Sequence, residues 1–228
     1  NTGKPVYLAC NADESEPGCF KDRQIMERVP HLLIEGCLIA CRAIGSHTAF
    51  IYIRGEYPTC IAEMETALLE ARAAGLVGEN VAGSGWACDV WVHSGAGAYI
   101  CGEETGLLSS LEGGRGYPKI KPPFPAVEGA WRCPTIINNV ETLANVPLIV
   151  RDGVADWKSA GDDDTTGTRL VGISGHVNRP CHVEIDPART TIRQLIGEHA
   201  GGVWKGRKLK AVIPGGSSGP GLPADAIG

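Results

Sequence analysis

Three segments of this chain gather short polar side chains and bare backbone where apolar runs end. The first, Cys10-Asn11-Ala12-Asp13-Glu14-Ser15-Glu16-Pro17-Gly18, is acidic, broken by glycine, and follows Val6-Tyr7-Leu8-Ala9. The second is Gly95-Ala96-Gly97-Ala98-Tyr99-Ile100-Cys101-Gly102-Glu103-Glu104-Thr105. The third is Asn138-Asn139-Val140-Glu141-Thr142, whose two asparagines are expected to open a helix. Such groups at strand ends suit a polar, phosphate-bearing cofactor lying across them. No metal-ligand set or hydrolase nucleophile accounts for the three segments as well.

In the acidic loop Asp13, Glu14 and Glu16 lie within four residues. They read as a solvated turn or as acceptors for the hydroxyls of a ribityl chain or ribose. The shape imposed by Asn11 and the Pro17-Gly18 break favours the second reading. Carboxylates repel phosphate, so any phosphate must rest elsewhere, on backbone N–H groups. Gly95, Gly97 and Gly102 supply backbone that a ligand can approach closely, although Gly-x-Gly alone is a weak signal. Glu103 and Glu104 lead into an apolar helix starting near Leu107. One of the two compensates the helix dipole; the other needs a partner, for which a ribose diol is a candidate. Asn138 and Asn139 are helix caps or, with Thr142 one turn on, an uncharged grip for a phosphate on one helix face. Lys121-Pro122-Pro123-Phe124-Pro125 is expected to be a stiff, partly polyproline-II loop presenting one cation and one ring. That ring either stacks on a base or anchors the loop by packing.

The elements that must position these groups alternate. Residues 6–9, 49–53 and 89–93 read as strands. Residues 30–44 read as a largely buried helix with Pro30 in its first turn and Gly45 as its stop, and residues 59–74 as a helix introduced by Pro58 and ended by Gly75. Residues 138–150 read as a further helix. This order predicts an α/β fold with a mostly parallel sheet and flanking helices. The acidic stretch around Asp162, Asp163 and Asp164 is a candidate linker. Beyond it, strands at 170–173, 181–185 and 210–213 with a helix at 191–198 predict a small β-grasp domain. The expected domains are therefore 1–160 and 168–228.

A chain of 228 residues, 43% hydrophobic and 21% charged, is ordinary for a globular protein with one core and a small second one. A net charge of -5 without a Lys/Arg cluster argues against nucleic acid as a partner. No apolar run approaches the ~20 residues that span a bilayer, so direct membrane insertion is not expected. The start, Asn1-Thr2-Gly3-Lys4, is not followed by the apolar stretch of a signal peptide. Nine cysteines without a Cys-x-x-Cys pair read as thiols in a reducing compartment. Cys37 and Cys41, beside Leu33, Ile34 and Leu38, are expected to be buried, and no metal site is expected in this segment. Both ends are read as truncated, so that the chain is the middle of a longer protein.

At these residues the chain closely resembles the NADH-binding flavoprotein (51 kDa) subunit of respiratory complex I. It also resembles that subunit's relatives in NAD-reducing hydrogenases and NAD-dependent formate dehydrogenases. The matching stretches are NADESEPG (11–18), KDR (21–23), PHLLIEG (30–36), RGEY (54–57), HSGAGAYICGEET (93–105), SLEG (110–113), KPPFPA (121–126) and PTIINNVETLANVP (134–147). GISGHVNRP (172–180) and PGGSSGP (214–220) resemble the family's SLBB β-grasp domain.

The resemblance implies FMN beside NADH. Asn11, Asp13, Glu14, Tyr99, Gly102, Glu103 and Glu104 would contact FMN, with Asn138, Asn139 and Thr142 at its phosphate end. Glu16, Glu104, Lys121 and Phe124 would serve the dinucleotide, Glu104 selecting NADH over NADPH. Hydride would pass between the cofactors without a side-chain acid or nucleophile, and electrons would then leave singly for iron–sulfur centres. The family's flavin-covering glycine-rich loop is expected before residue 1, and its 4Fe–4S cysteine motif only in the missing C-terminal region. The fragment alone would be inactive. The implied partners are the other subunits of an electron-transfer complex, including a 2Fe–2S (24 kDa-type) subunit. The implied location is cytoplasmic, or peripheral on the cytoplasmic or matrix side of the inner membrane. A diaphorase subunit of a hydrogenase or formate dehydrogenase is the second reading, and a non-catalytic ligand- or partner-binding module the third.

Overall fold

The computed structural model describes residues 3–227; Asn1 and Thr2, the first residues of the stretch that does not read as a signal peptide, and Gly228 lie outside them. The chain divides into two units. The first holds the residues through Ser15 and Asp22–Pro147; the second holds Glu16–Lys21 and the chain from Leu148 onward.

In the first unit β1 (Tyr7–Ala12), β2 (Thr48–Ile53), β3 (Asp89–Ser94) and β4 (Thr135–Asn139) form one wholly parallel sheet in the order β3-β2-β1-β4. Parallel strands need crossovers, which here include α1 (Lys21–Arg28), α2 (Pro30–Ile44), α3 (Pro58–Ala73) and α4 (Glu104–Leu111), and α5 (Val140–Asp152) follows β4. Alternation along the strands splits the side chains between two faces. Ala9 and Tyr52 are buried against Leu107, Leu108 and Leu111 of α4, with Tyr7, Phe50 and Ile137 alongside. Helix α2 starts on Pro30 and is stopped by Gly45, whose φ of 71° turns the chain so that Ser46 N also reaches Cys41 O, at 2.9 Å. It buries Leu33, Ile34, Cys37 and Cys41, so those two cysteines are core thiols.

In the second unit β5 (Arg169–Ile173) and β6 (Cys181–Ile185) form an antiparallel hairpin after the short α6 (Val154–Trp157). Ile173, Leu195 and Ala200 centre a small core with Val171, Val177, Cys181, Val183 and Ile185. A capping box between Thr191 and Gln194 opens α7 (Ile192–Gln194), which runs on into a π-helical turn at Leu195–His199. The last strands, β7 (Ala211–Val212) and β8 (Leu222–Pro223), pair with each other. The acidic stretch is an ordered turn: Asp162 Oδ1 accepts from Asp164 N, Thr165 N and Thr165 Oγ1.

Several boundaries differ from the sequence reading. β1 runs on through Asn11, paired on both edges, and Ala12, paired with Ile53 of β2. Asn138 and Asn139 are the last residues of β4 and α5 starts only at Val140, with Asn139 as its cap, and α4 starts at Glu104 rather than near Leu107. Helix α1 had no counterpart, since Lys21–Arg28 is mostly polar and buries only Asp22, Ile25 and Met26. The strand expected at 210–213 forms its own two-stranded ladder, because the Gly/Pro turn after it folds the chain back.

Helix α5 contains Pro147, which has no N–H to return to Leu143 O four residues earlier. That carbonyl faces α2 at Gly36, where an added Cβ would lie 2.0 Å from Leu143 O. The close approach admits only a hydrogen at this position and permits a weak Cα–H···O contact. Gly36→Ala is therefore expected to destabilise the protein by about 3 kcal/mol, read as a shift in the urea midpoint. Gly45→Ala, where an added Cβ meets nothing within 4 Å, should cost only about 1 kcal/mol of backbone strain.

Candidate functional site

The strand order places a topological switch at β1. The chain leaves β1 towards β2 and β3 and later returns to its other side as β4. In open α/β sheets the crevice at the carboxyl ends of two such strands is where ligands bind. Asn11 and Asn139 are register partners at those ends.

Helices that follow or flank parallel strands start at this same edge, each with unpaired N–H groups. Three starts are satisfied in different ways. Glu14 closes α1 from outside the helix: its Oε1 accepts from Asp22 N at 3.1 Å and its Oε2 from Arg23 N at 3.1 Å. Glu103 is the N-cap of α4, its Oε2 accepting from Thr105 N at 2.9 Å and Gly106 N at 2.8 Å. Helix α5 is capped by an amide, Asn139 Oδ1 accepting from Glu141 N at 2.9 Å. The same side chain donates through Nδ2 to Asp22 Oδ2 at 2.7 Å and to Asn11 O at 3.4 Å. Asn11 in turn donates to Gly102 O at 2.9 Å and accepts from Asp13 N. Asn11, Asp13, Glu14, Gly102, Glu103 and Asn139 are thus linked around one strand edge.

The charges here are half buried or more. Asp13, Glu14 and Asp22 are 8%, 7% and 3% exposed. Burial pushes the Asp13 carboxyl up, partly offset by the Ser15 hydroxyl and by Arg54. For Glu103 burial acts the same way, but hydrogen bonds from Thr105 and Gly106, with Lys121 nearby, outweigh it and hold the carboxyl below the ordinary range. Arg54 Nη1 donates to Glu14 O at 2.8 Å and its guanidinium lies over the Tyr57 ring at 5.1 Å. Burial, and then the negative Glu14, push Tyr57 up to about 12. The backbone that holds this arrangement needs glycine where loops meet: a Cβ on Gly55 would lie 2.3 Å from Gly95 O.

The remaining expected residues divide. Lys121 Nζ lies 2.6 Å from Glu104 Oε1 and 3.6 Å from Glu103 Oε1, so the second carboxylate finds its partner inside the protein. Hydrogen bonding to Glu104 raises the Lys121 ammonium pKa. The peptide bonds Lys121-Pro122 and Pro122-Pro123 are cis, unlike the expected polyproline-II segment. Phe124 and Tyr99 are 58% and 57% exposed. Asn138 and Asn139 alternate across β4, so they do not share a helix face with the exposed Thr142. Glu16 belongs to the second unit, where its Oε1 accepts from Ser218 N at 2.7 Å. Asp22, Arg54, Tyr57 and Thr105 were not singled out from sequence; their partners are distant along the chain or lie in a helix that its polar composition concealed. Among the described residues no group of three or more His, Cys, Asp or Glu could hold a metal ion, and no helix is long and apolar enough to cross a membrane.

Residues 1–148 match the Nuo51 FMN-binding domain family and residues 169–227 match the SLBB domain. The chain belongs to the Nuo51 FMN-binding family. It is 56% identical over 221 residues to an NADH-quinone oxidoreductase subunit of Rhizobium meliloti (strain 1021), covering 97% of this chain and 52% of that protein. With the corresponding NADH-quinone oxidoreductase subunit of Rickettsia bellii (strain OSU 85-389) the identity is 55% over 221 residues, covering 96% and 53%. The chain thus spans about half the length of the curated relatives it matches. A chain of an NAD+-reducing [NiFe]-hydrogenase in the H2-reduced state superposes with a TM-score of 0.87 at 38% identity, covering 98% of this chain and 37% of that one. The air-oxidized state gives 0.85 at 38%, covering 96% and 36%.

The raised Asp13 carboxyl makes a signed prediction. Its ionised form is disfavoured in the folded state, so the stability it contributes is full below the unfolded-state value and is lost as pH rises through the raised one. Asp13→Asn, which does not titrate, should raise the melting temperature relative to the parent at about pH 7, and the gain should vanish below about pH 4. An equal gain at both pH values would contradict this.

Proposed function

We propose that this chain is the flavin- and dinucleotide-binding core of an NADH dehydrogenase subunit, which takes hydride from NADH onto bound FMN and delivers electrons singly to iron–sulfur centres of a multi-subunit NADH:quinone oxidoreductase. The observation that carries the reading is the pattern of caps at the switch-point edge. Two helix starts are closed by carboxylates, Glu14 and Glu103, and cannot favour a phosphate; α5 is closed by the neutral Asn139. The donor set fits FMN. We assign Asn138, Asn139 and Thr142 to its phosphate end, from the last residues of β4 and the first turn of α5 rather than from one helix face, and Asp13 and Glu14 to its ribityl hydroxyls. Asn11, Tyr99, Glu103 and Glu104 line the flavin, as does Gly102, where a Cβ would come within 3.2 Å of Asp13 O.

For the dinucleotide we assign Glu16, Glu104, Lys121 and the exposed Phe124 ring, which stacks on adenine. Glu104 accepts from the adenosine ribose and repels a 2′-phosphate. Lys121 offsets the paired carboxylates, so that they do not expel the dinucleotide's diphosphate. These residues bind and orient; none moves a proton.

The proposed modules are 1–160 for FMN and NADH and 168–228 for the SLBB-like part. A 4Fe–4S cluster in the C-terminal region of the full subunit, a 2Fe–2S (24 kDa-type) partner and a peripheral position on the cytoplasmic or matrix side complete the proposal. The likeness to a hydrogenase chain favours one second reading, a diaphorase subunit, which the co-purifying subunits would identify.

Two variants of the full-length, FMN-loaded protein test these roles. Glu104→Gln should raise kcat/KM with NADPH relative to NADH by about tenfold, or ~1.4 kcal/mol of lost repulsion; an unchanged ratio removes the role. Asn139→Ala should lower the flavin absorbance retained after dialysis, while full occupancy would leave Asn139 only a cap.

A further inference from the structure

Residues 16–21 pass through the second unit, and both ends of this segment are held there. At one end Glu16 Oε1 accepts from Ser218 N at 2.7 Å and from Ser217 Oγ at 3.3 Å, and Ser217 N donates to Pro17 O at 3.3 Å. At the other end the Phe20 ring meets His182 edge-on at 4.0 Å, over Gly172, where an added Cβ would lie 3.3 Å from Phe20 Cζ.

The turn at 214–220 is shaped to Glu16. Gly215 and Gly216 both have positive φ, 81° and 92°. A methyl on Gly215 would meet nothing within 4 Å, but one on Gly216 would lie 2.2 Å from Glu16 Cγ and 2.8 Å from Oε1. A left-handed backbone asks for glycine at either position; only at Gly216 does the space occupied by Glu16 ask for it as well. An N–H and a hydroxyl converging on one carboxylate oxygen are charge-assisted bonds, stronger than neutral ones.

We propose that the Gly216-Ser217-Ser218 turn is a positioning element for Glu16, through which the SLBB-like module sets affinity for the dinucleotide. This rests on the dinucleotide role proposed for Glu16 above. Ser217 and Ser218 hold the carboxylate, and Gly216 leaves room for it.

The test uses the full-length, FMN-loaded protein with ferricyanide as electron acceptor. Gly216→Ala should raise the KM for NADH about tenfold, the loss of one charge-assisted hydrogen bond, with kcat little changed. Gly215→Ala shares the backbone strain without the clash and should leave KM at the parent value. Amide exchange at residues 18–20 should speed up in Gly216→Ala alone. Combined with Glu16→Gln, Gly216→Ala should add no further rise in KM, because both act on one carboxylate. Equal KM in the two glycine variants, or additive effects in the double variant, would overturn the proposal. If Glu16→Gln leaves KM unchanged, this inference falls, while the NADPH-to-NADH ratio of Glu104→Gln still decides the function proposed above.

Discussion

A parallel sheet sends the starts of its helices to the edge where its strands end, and every such start brings N–H groups that the helix cannot pair. The chemistry of the first unit's strand edge follows from how those donors are satisfied. Glu14 and Glu103 close α1 and α4 with carboxylate oxygens, each engaging two backbone N–H groups. The two starts become acceptor-rich and negative, suited to hydroxyls and hostile to anions. Asn139 closes α5 without charge. One edge therefore carries two helix starts closed by carboxylates and one closed without charge.

Burial sharpens this division. Asp13, Glu14 and Asp22 are almost fully covered, where an ionised carboxylate is costly unless donors surround it. Glu14 is met by two backbone N–H groups, Asp22 by the Asn139 amide and Asp13 by the Ser15 hydroxyl. Arg54 adds a cation, but its Nη1 bonds the Glu14 backbone oxygen and its remaining nitrogens pair with Glu56. Much of the stabilisation is thus by oriented dipoles, which neutralise less than a guanidinium fork would and leave the edge negative. The upward displacement of Asp13 is the visible residue of that cost.

Much of the frame was legible in the sequence, for local reasons. The runs at 49–53 and 90–92 are apolar and bounded by polar or turn residues, and α2 carries both its proline start and its glycine stop. The strand β4 was hidden because Ile136-Ile137-Asn138-Asn139 passes into α5 with no intervening turn, so strand and helix share one continuous polar–apolar pattern. Helix α1 was hidden by its polarity. The candidate site was legible as residue types but not as pairs. Glu14 meets Asp22 and Arg23 from eight and nine residues away, Lys121 meets Glu104 across seventeen, and Asn139 meets Asp22 across 117. None of these leaves a periodic trace. The helix-capping role of Glu103 could have been found, since a carboxylate just before an apolar helix is the expected signal.

The choice of asparagine at 139 shows how these levels meet. As a cap alone, aspartate would serve about as well. But this side chain must accept from Glu141 N and donate to Asp22 in the same conformation, and a carboxamide carries both an acceptor and a donor where a carboxylate carries acceptors alone. An aspartate would set two buried carboxylates 2.7 Å apart, one of which would have to take up a proton. Asp22, whose own N–H closes the Glu14 cap, therefore dictates that α5 be capped by a neutral group. The uncharged start of α5 is in this sense a consequence of the carboxylates around it.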